Sequence, residues 1–432
     1  MRPAGAVTNT LLVMPRFDSL PAWLAWQETL HPQKIDLGLD RVAAVAGRMG
    51  LLEPDHGVIT VAGTNGKGSS MALLAAILAA DGYRVGSYTS PHLLRYNERI
   101  CICGQAVSDQ ELCHAFDCVD QARGQVTLSY FEFGTLAALY LFAVADLDIA
   151  LLEVGMGGRL DAVNIIAPDA ALVTSIDIDH SAWLGTDRES IGREKAGIFR
   201  HGRPAVCSDP SPPASVEETA VTLGAKWLSL GRQFSCKMAG AGWNWQGPDS
   251  SYLKLPRPAL AGAQQYDNAA GVLMALESLR KRFPITREAV ETGLRQVTLA
   301  GRFQVLPGAV DMILDVAHNP ASGRRLAQTL GELPAGGHTW LVLGMLKDKD
   351  VAAFMESLAY RVNHWCLASL HADRGLSADS LRKNLPAGVI DAHDFRSVAA
   401  ACRYASSQAV AGDRIVVCGS FITVAEALAC HV

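Results

Sequence analysis

Gly63-Thr64-Asn65-Gly66-Lys67-Gly68-Ser69-Ser70 is the segment best suited to chemistry in this sequence. Glycines let a backbone turn its N–H groups inward around phosphate oxygens, and a following helix adds partial positive charge at its start. Lys67 can neutralise a terminal phosphate, and Ser69 can meet a phosphate or a Mg²⁺ ion. The strict G-x-x-x-x-G-K-[ST] pattern is not met, because Val61 stands at its first glycine and Gly68 separates the lysine from the hydroxyl. A plain glycine-rich turn is the competing reading. Glu153 ends an apolar run where a glycine-rich loop begins, and strand ends of parallel sheets border ligand crevices. His180 follows Asp177 and Asp179 just past another apolar run, a set suited to a metal with oxygen and nitrogen ligands.

These residues need strands and helices to hold them. Gly57 to Ala62 reads as a buried strand, Lys67 to Ala80 as a small-residue helix stopped at Gly82, and Arg84 to Thr89 as the next strand. Asp148 to Glu153 and Ala170 to Ser175 are further short strands, so the rhythm predicts βαβ units around a mostly parallel sheet. Ser208 to Pro258, with Trp243, Trp245 and Tyr252, reads as an irregular or antiparallel excursion at the sheet edge, and Gln264 to Phe283 as a helix. A second alternation starts near Gly301. Met312 to Val316, Thr339 to Leu343 and Arg414 to Cys418 are its strands; Pro320 to Leu333 and Asp350 to Tyr360 are helices, with another at the C-terminus.

The chain of 432 residues exceeds one ordinary domain, so two are expected: 1–298, opening on a loose extension to about residue 15, and 299–432. No long linker separates them near Leu299–Arg302, which places a site between them. A net charge of −5 argues against a polybasic nucleic-acid or membrane surface. No window approaches the roughly 18 apolar residues of a membrane span, and no targeting segment is evident, so a cytoplasmic protein is expected. Ten cysteines without C-x-x-C pairs read as reduced thiols, with Cys101 and Cys103 on one face of a strand.

Ala62 to Ser69 resembles the P-loop variant of the Mur ligase superfamily. Within it, the downstream motifs resemble the folylpolyglutamate synthase/dihydrofolate synthase family. They are Thr89-Ser90-Pro91-His92-Leu93 with Asn97-Glu98-Arg99-Ile100, Glu153-Val154-Gly155-Met156-Gly157-Gly158-Arg159-Leu160-Asp161-Ala162, Ile178-Asp179-His180, Arg193 to Phe199, Gly301-Arg302-Phe303-Gln304 and Asp315-Val316-Ala317-His318-Asn319-Pro320. The resemblance runs from about Leu20 to Gly419. It implies an α/β fold, with a mostly parallel-sheet P-loop ATPase domain and a smaller Rossmann-like C-terminal ligase domain that binds glutamate. It implies ATP as co-substrate, bound through Thr64, Asn65, Gly66, Lys67, Gly68, Ser69, Asn268, Arg302 and Asp315. Ser90, Glu153 and His180 would hold Mg²⁺, and a carbamylated Lys195 a second Mg²⁺; a monovalent cation is an additional candidate. By itself Lys195, between Glu194 and Ala196, reads as a surface lysine of a charged helix.

Family positions for the pterin substrate fall on Ile35-Asp36-Leu37, Ser129-Tyr130-Phe131-Glu132 and Leu160-Asp161-Ala162. An aromatic such as Phe131 suits a flat heteroaromatic ring, and Asp161 can accept from its amino groups; ordinary core packing is the equal alternative. Lys67, His180, Lys195, Arg302 and His318 are the expected catalytic set. The implied reaction is ATP-dependent addition of L-glutamate to dihydropteroate and to reduced folates through an acyl phosphate, by a monomer. Val163 and the pair Tyr266-Asp267 depart from common family residues, without removing a charged ligand. The alternatives are another Mur-type amino-acid ligase or a non-catalytic nucleotide-binding regulator.

Overall fold

The computed structural model describes residues 15–33, 35–333 and 336–430, so the expected loose N-terminal extension falls almost wholly outside it. Within the described residues the strands are β1 (Gly57–Ala62), β2 (Val85–Tyr88), β3 (Ile100–Ile102), β4 (Gln105–Ala106), β5 (Ile149–Glu153), β6 (Ala170–Val173), β7 (Pro204–Cys207), β8 (Lys226–Ser229), β9 (Ser235–Ala239), β10 (Gly242–Gln246), β11 (Ser251–Leu255), β12 (Gln304–Leu306), β13 (Asp311–Leu314), β14 (Thr339–Leu343), β15 (His364–Ala368), β16 (Ala392–Phe395) and β17 (Arg414–Cys418).

They form three sheets. The largest runs β4-β3-β2-β5-β1-β6-β7-β8 and is parallel except where β3 pairs with β2 and β4. The C-terminal sheet runs β12-β13-β17-β14-β15-β16, parallel except for β12. Between them in sequence, β9 to β11 make a small antiparallel sheet.

The period of two in a strand explains why β1 lies at the centre. Ile59 and Val61 point into one apolar layer with Leu73, Leu74 and Ile77 of the helix Lys67–Ala80. Val58 and Ala62 point into the opposite layer with Phe133, Leu136 and Ala137 of the helix Tyr130–Val144. Both faces of β1 are thus covered, as a parallel strand requires. Each fully buried Leu or Ile here stabilises the fold by roughly 1.5–3 kcal/mol. The register then sets the site: Val61 lies opposite Glu153, and Ala62 opposite Val173. The glycine-rich turn, Glu153 and the segment leading to His180 therefore leave three adjacent strands at the same C-terminal end of the sheet.

Two expectations need correction. Residues 208–258 are not a single excursion: Pro213 caps a helix, Ala214–Leu223, and β8 extends the large parallel sheet. Only 235–255 is antiparallel, as a separate sheet. Cys103 does not share a strand face with Cys101, because β3 ends at Ile102 and Cys103 turns at φ 49°.

Candidate active site

The glycine-rich turn is built by close approach. Gly66 opens the helix Lys67–Ala80 at φ 98°, and a Cβ there would stand 2.5 Å from Asn268 Oδ1. A Cβ at Gly63 would lie 1.8 Å from Thr174 Oγ1. Only glycine lets the turn pass these neighbours. Thr64 ties the turn to the next strand end: its hydroxyl donates to Asp177 O at 2.9 Å and accepts from Asp177 N–H at 3.0 Å. Asn65 O accepts from the hydroxyls of Thr174 and Ser175 at 2.9 and 3.0 Å. Asn268 donates to Gln265 at 2.9 Å, and Gln265 to Ser69 Oγ at 3.4 Å.

Cations crowd this turn. Lys67 Nζ donates to Gly63 O at 3.0 Å, and Lys195 Nζ donates to the same carbonyl at 3.0 Å. Lys195 is buried, so its reading as a surface lysine fails; the helix Arg188–Ala196 turns it inward. Burial, and then Lys67, push its pKa down to about 7. Arg302 comes from the start of the second domain, beneath the ring of Phe421 at 5.1 Å. A Cβ at Gly68 would lie 3.6 Å from Arg302 Nη2, so the guanidinium stands at the helix start. Asp315 faces Arg302 electrostatically and is fixed by the N–H groups of Phe303 and Ala317 at 2.9 and 2.8 Å.

Glu153 is buried and accepts from Ser90 N–H at 3.3 Å. Burial pushes its pKa up, opposed by Lys67 and the Ser90 N–H. His180 adopts φ 52° at the cavity surface, and desolvation by the surrounding protein lowers its imidazole pKa to about 4. No three His, Cys, Asp or Glu side chains converge as a complete metal cage among the described residues. One carboxylate, a hydroxyl and a neutral imidazole instead fit a hard cation that takes its remaining oxygens from phosphate and water, as Mg²⁺ does.

One cavity of about 1040 Å³ gathers these groups between the two domains. It is lined by Thr64, Asn65, Gly66, Lys67, Gly68, Ser69, Ser90, Glu153, His180, Lys195, Asn268, Arg302, Asp315 and His318. Ile35, Asp36, Leu37, Ser129, Phe131, Glu132, Leu160, Asp161 and Ala162 line its other part. Tyr130 does not line it; its ring meets Tyr96 at 5.7 Å, with the Arg99 guanidinium 5.6 Å away. Phe131 is held by Tyr88, stacked at 5.8 Å, and by Gly155, whose added Cβ would be 2.7 Å from the ring. Ser129 and Glu132 close a capping box on the helix that carries Phe131, and Glu132 also takes Arg41 at 3.2 Å. Their immediate work is to orient Phe131. Asp161 is buried, which raises its pKa to about 6 despite N–H donation from Met156 and Val163.

Several lining groups had no site role in the sequence reading, although His92 and Arg99 stood in its motifs. Lys349 lies 2.6 Å from Asp179, and Arg99, His92, Gln265 and Arg325 also face the cavity. Burial tends to raise the Asp179 pKa, but His318 and Lys349 hold it well below the usual carboxylate range. The quartet Ser129-x-x-Glu132 carries a capping-box signal that spacing alone could have revealed.

This arrangement, a glycine-built turn at a helix start facing an arginine from a second α/β domain, is that of a Mur-type ATP-dependent ligase. Residues 61–209 match the Mur ligase middle domain, and 301–421 the Mur ligase glutamate ligase domain. The chain is 43% identical over 409 residues to the dihydrofolate synthase/folylpolyglutamate synthase of Escherichia coli (strain K12), covering 95% of this chain and 94% of that one. The solved E. coli structure in complex with DHPP and ADP superposes with a TM-score of 0.91 at 42% identity, over 95% of this chain and 97% of that one. A bifunctional folylpolyglutamate synthase/dihydrofolate synthase solved with Mn, AMPPNP and L-glutamate gives 0.89 at 45%, over 96% and 98%. The chain belongs to the dihydrofolate synthase/folylpolyglutamate synthase family.

Proposed function

We propose that this protein joins L-glutamate to dihydropteroate, and to reduced folates, by an amide bond made at the expense of ATP. The observation that carries the reading is the meeting of Lys67, Arg302 and Glu153 at one glycine-built turn, in a cavity that continues to Phe131 and Asp161. The first part suits a triphosphate and the second a flat, amino-bearing ring. The relatives' complexes with ADP, AMPPNP, Mn and L-glutamate support it.

Amide formation from a carboxylate in water is uphill and needs a better leaving group than hydroxide. In the first step a substrate carboxylate oxygen attacks the γ-phosphorus, and ADP leaves. Lys67 and Arg302 neutralise the charge that builds on the phosphoryl oxygens. In the second step the glutamate amine attacks the acyl carbon, the C–O bond breaks, and phosphate departs with the former carboxylate oxygen. Arg302 and Asp315 come from the second domain, so the site is complete only when the domains meet, which also excludes water from the acyl phosphate. Mg²⁺ held by Ser90, Glu153 and His180 would add positive charge beside the terminal phosphate.

A second Mg²⁺ needs a carbamylated Lys195. A pKa lowered to about 7 leaves a substantial fraction of that amine neutral at ordinary pH, the form that adds CO₂, and the resulting carboxylate would pair with Lys67 instead of opposing it. His318, whose Nδ1 lies 2.8 Å from Val316 O, stands in the cavity as an amine-side candidate. All ten cysteines are free, and no described helix is long and apolar enough to cross a membrane.

The test is to incubate the protein with ATP, Mg²⁺ and L-glutamate, offering dihydropteroate and tetrahydrofolate separately, and weigh the products. Mass gains of one glutamate or more in each are expected. ATP-dependent gain in neither would defeat the reading.

A further inference from the structure

Asp179 is gripped from four directions. Its Oδ1 accepts from Lys349 Nζ at 2.6 Å and from His180 N–H at 2.8 Å. Its Oδ2 accepts from Asn319 Nδ2 at 3.2 Å and lies 3.5 Å from His318 Nε2. His318, Asn319 and Lys349 all belong to the C-terminal sheet domain, whereas Asp179 follows β6 of the large sheet. Asn319 also pairs with Asn65 of the phosphate-binding turn, its Nδ2 3.2 Å from Asn65 Oδ1, while its own Oδ1 caps the helix Pro320–Glu332. The ion pair is sealed, with side-chain exposures of 8% for Lys349 and 9% for Asp179.

We infer that Asp179 and Lys349 are positioning residues: together they form an interdomain clamp that fixes the His180 backbone and closes the catalytic cavity. Three physical points support the assignment. A histidine at φ 52° holds a backbone conformation that persists only where its surroundings over-determine it, and the Asp179 carboxylate on the His180 N–H does so. That carboxylate is in turn oriented by a lysine from the other domain. A buried carboxylate deprived of its cation is strongly disfavoured, so the closed arrangement needs Lys349 in place. The amide pair Asn65–Asn319 carries the same contact to the nucleotide turn, linking domain closure to the loop that holds ATP.

The inference rests on the ligase reading above. Lys349→Met keeps the stem and removes the charge. Its turnover is expected to fall on the order of 100-fold, as for a small misplacement of reacting groups. It should also release ADP and phosphate in excess of amide product, because water reaches the acyl phosphate in a loosely closed site. The KM for dihydropteroate should hold, since Phe131 and Asp161 lie on the other domain. Lys349→Arg should restore part of the turnover and coupling, and thermal melting should show each variant folded. Wild-type turnover with one ADP per amide in Lys349→Met would overturn the clamp. So would equal losses in Met and Arg variants accompanied only by a raised KM for glutamate, which would mark a direct substrate contact. If the wild type itself makes no amide, the ligase reading fails. The clamp is then decided by small-angle scattering with AMPPNP and Mg²⁺: a larger radius of gyration in Lys349→Met supports it, and an equal one refutes it.

Discussion

Gly66→Ala tests the phosphate-binding turn without removing a charge. The residue sits at φ 98°, where an L side chain is strained by about 1–3 kcal/mol. Its new Cβ would also lie 2.5 Å from Asn268 Oδ1, so the amide must move away. That movement disturbs the 2.9 Å bond from Asn268 to Gln265, a neutral hydrogen bond worth about 1 kcal/mol. Together these oppose the ATP-competent turn by about 2–4 kcal/mol, which is about 30-fold to 1000-fold in affinity. Part of this strain is already present without nucleotide, so a fall of a few degrees in melting temperature should accompany the loss of affinity. Isothermal titration with AMPPNP and the KM for ATP measure the loss, and circular dichroism checks the fold. ATP affinity within twofold of wild type would refute the argument that this backbone grips phosphate.

Three shorter predictions concern the same cavity. Lys67→Ala should remain folded and lose about 100-fold to 1000-fold in turnover, measured as ADP release with dihydropteroate and glutamate. The Asp161 carboxyl, with its pKa raised to about 6, loses its charge as pH falls through 6. Under the proposed role of Asp161, a carboxylate accepting from a ring amino group, kcat/KM for dihydropteroate should drop about tenfold per pH unit below 6. Asp161→Asn should flatten that limb in the pH profile, and an unchanged limb would assign it to another group. For Lys195, incubation with ¹³C-bicarbonate should yield a carbamate NMR signal that Lys195→Arg abolishes; an active preparation without the signal would count against the modification.

The elements around the turn were legible because several signals agreed. The buried run Gly57–Ala62, the glycines and the small-residue helix Lys67–Ala80 have the boundaries that pattern alone assigns. Thr339–Leu343 and Arg414–Cys418 likewise match their apolar runs. Helix Ala214–Leu223 was obscured because Pro212 and Pro213 suggest a loop, although proline is compatible with a helix start. Lys195 and Lys349 show where one-dimensional reading stops. Both sit in charged stretches that look solvated, Arg193-Glu194-Lys195 and Lys347-Asp348-Lys349-Asp350. Only the packing of a helix against β1's loop, or of one domain against the other, buries them. Tyr130 shows the reverse: its neighbour Phe131 faces the cavity while the helix start turns Tyr130 toward Arg99.

The central claim is that a carboxylate is activated by phosphoryl transfer at the Lys67–Arg302 site. Dihydropteroate labelled with ¹⁸O in its carboxylate tests this directly when the released phosphate is weighed after one turnover. Phosphate carrying one ¹⁸O, with none appearing in the Lys67→Ala variant, is the predicted result. Unlabelled phosphate released in step with amide product would contradict the account.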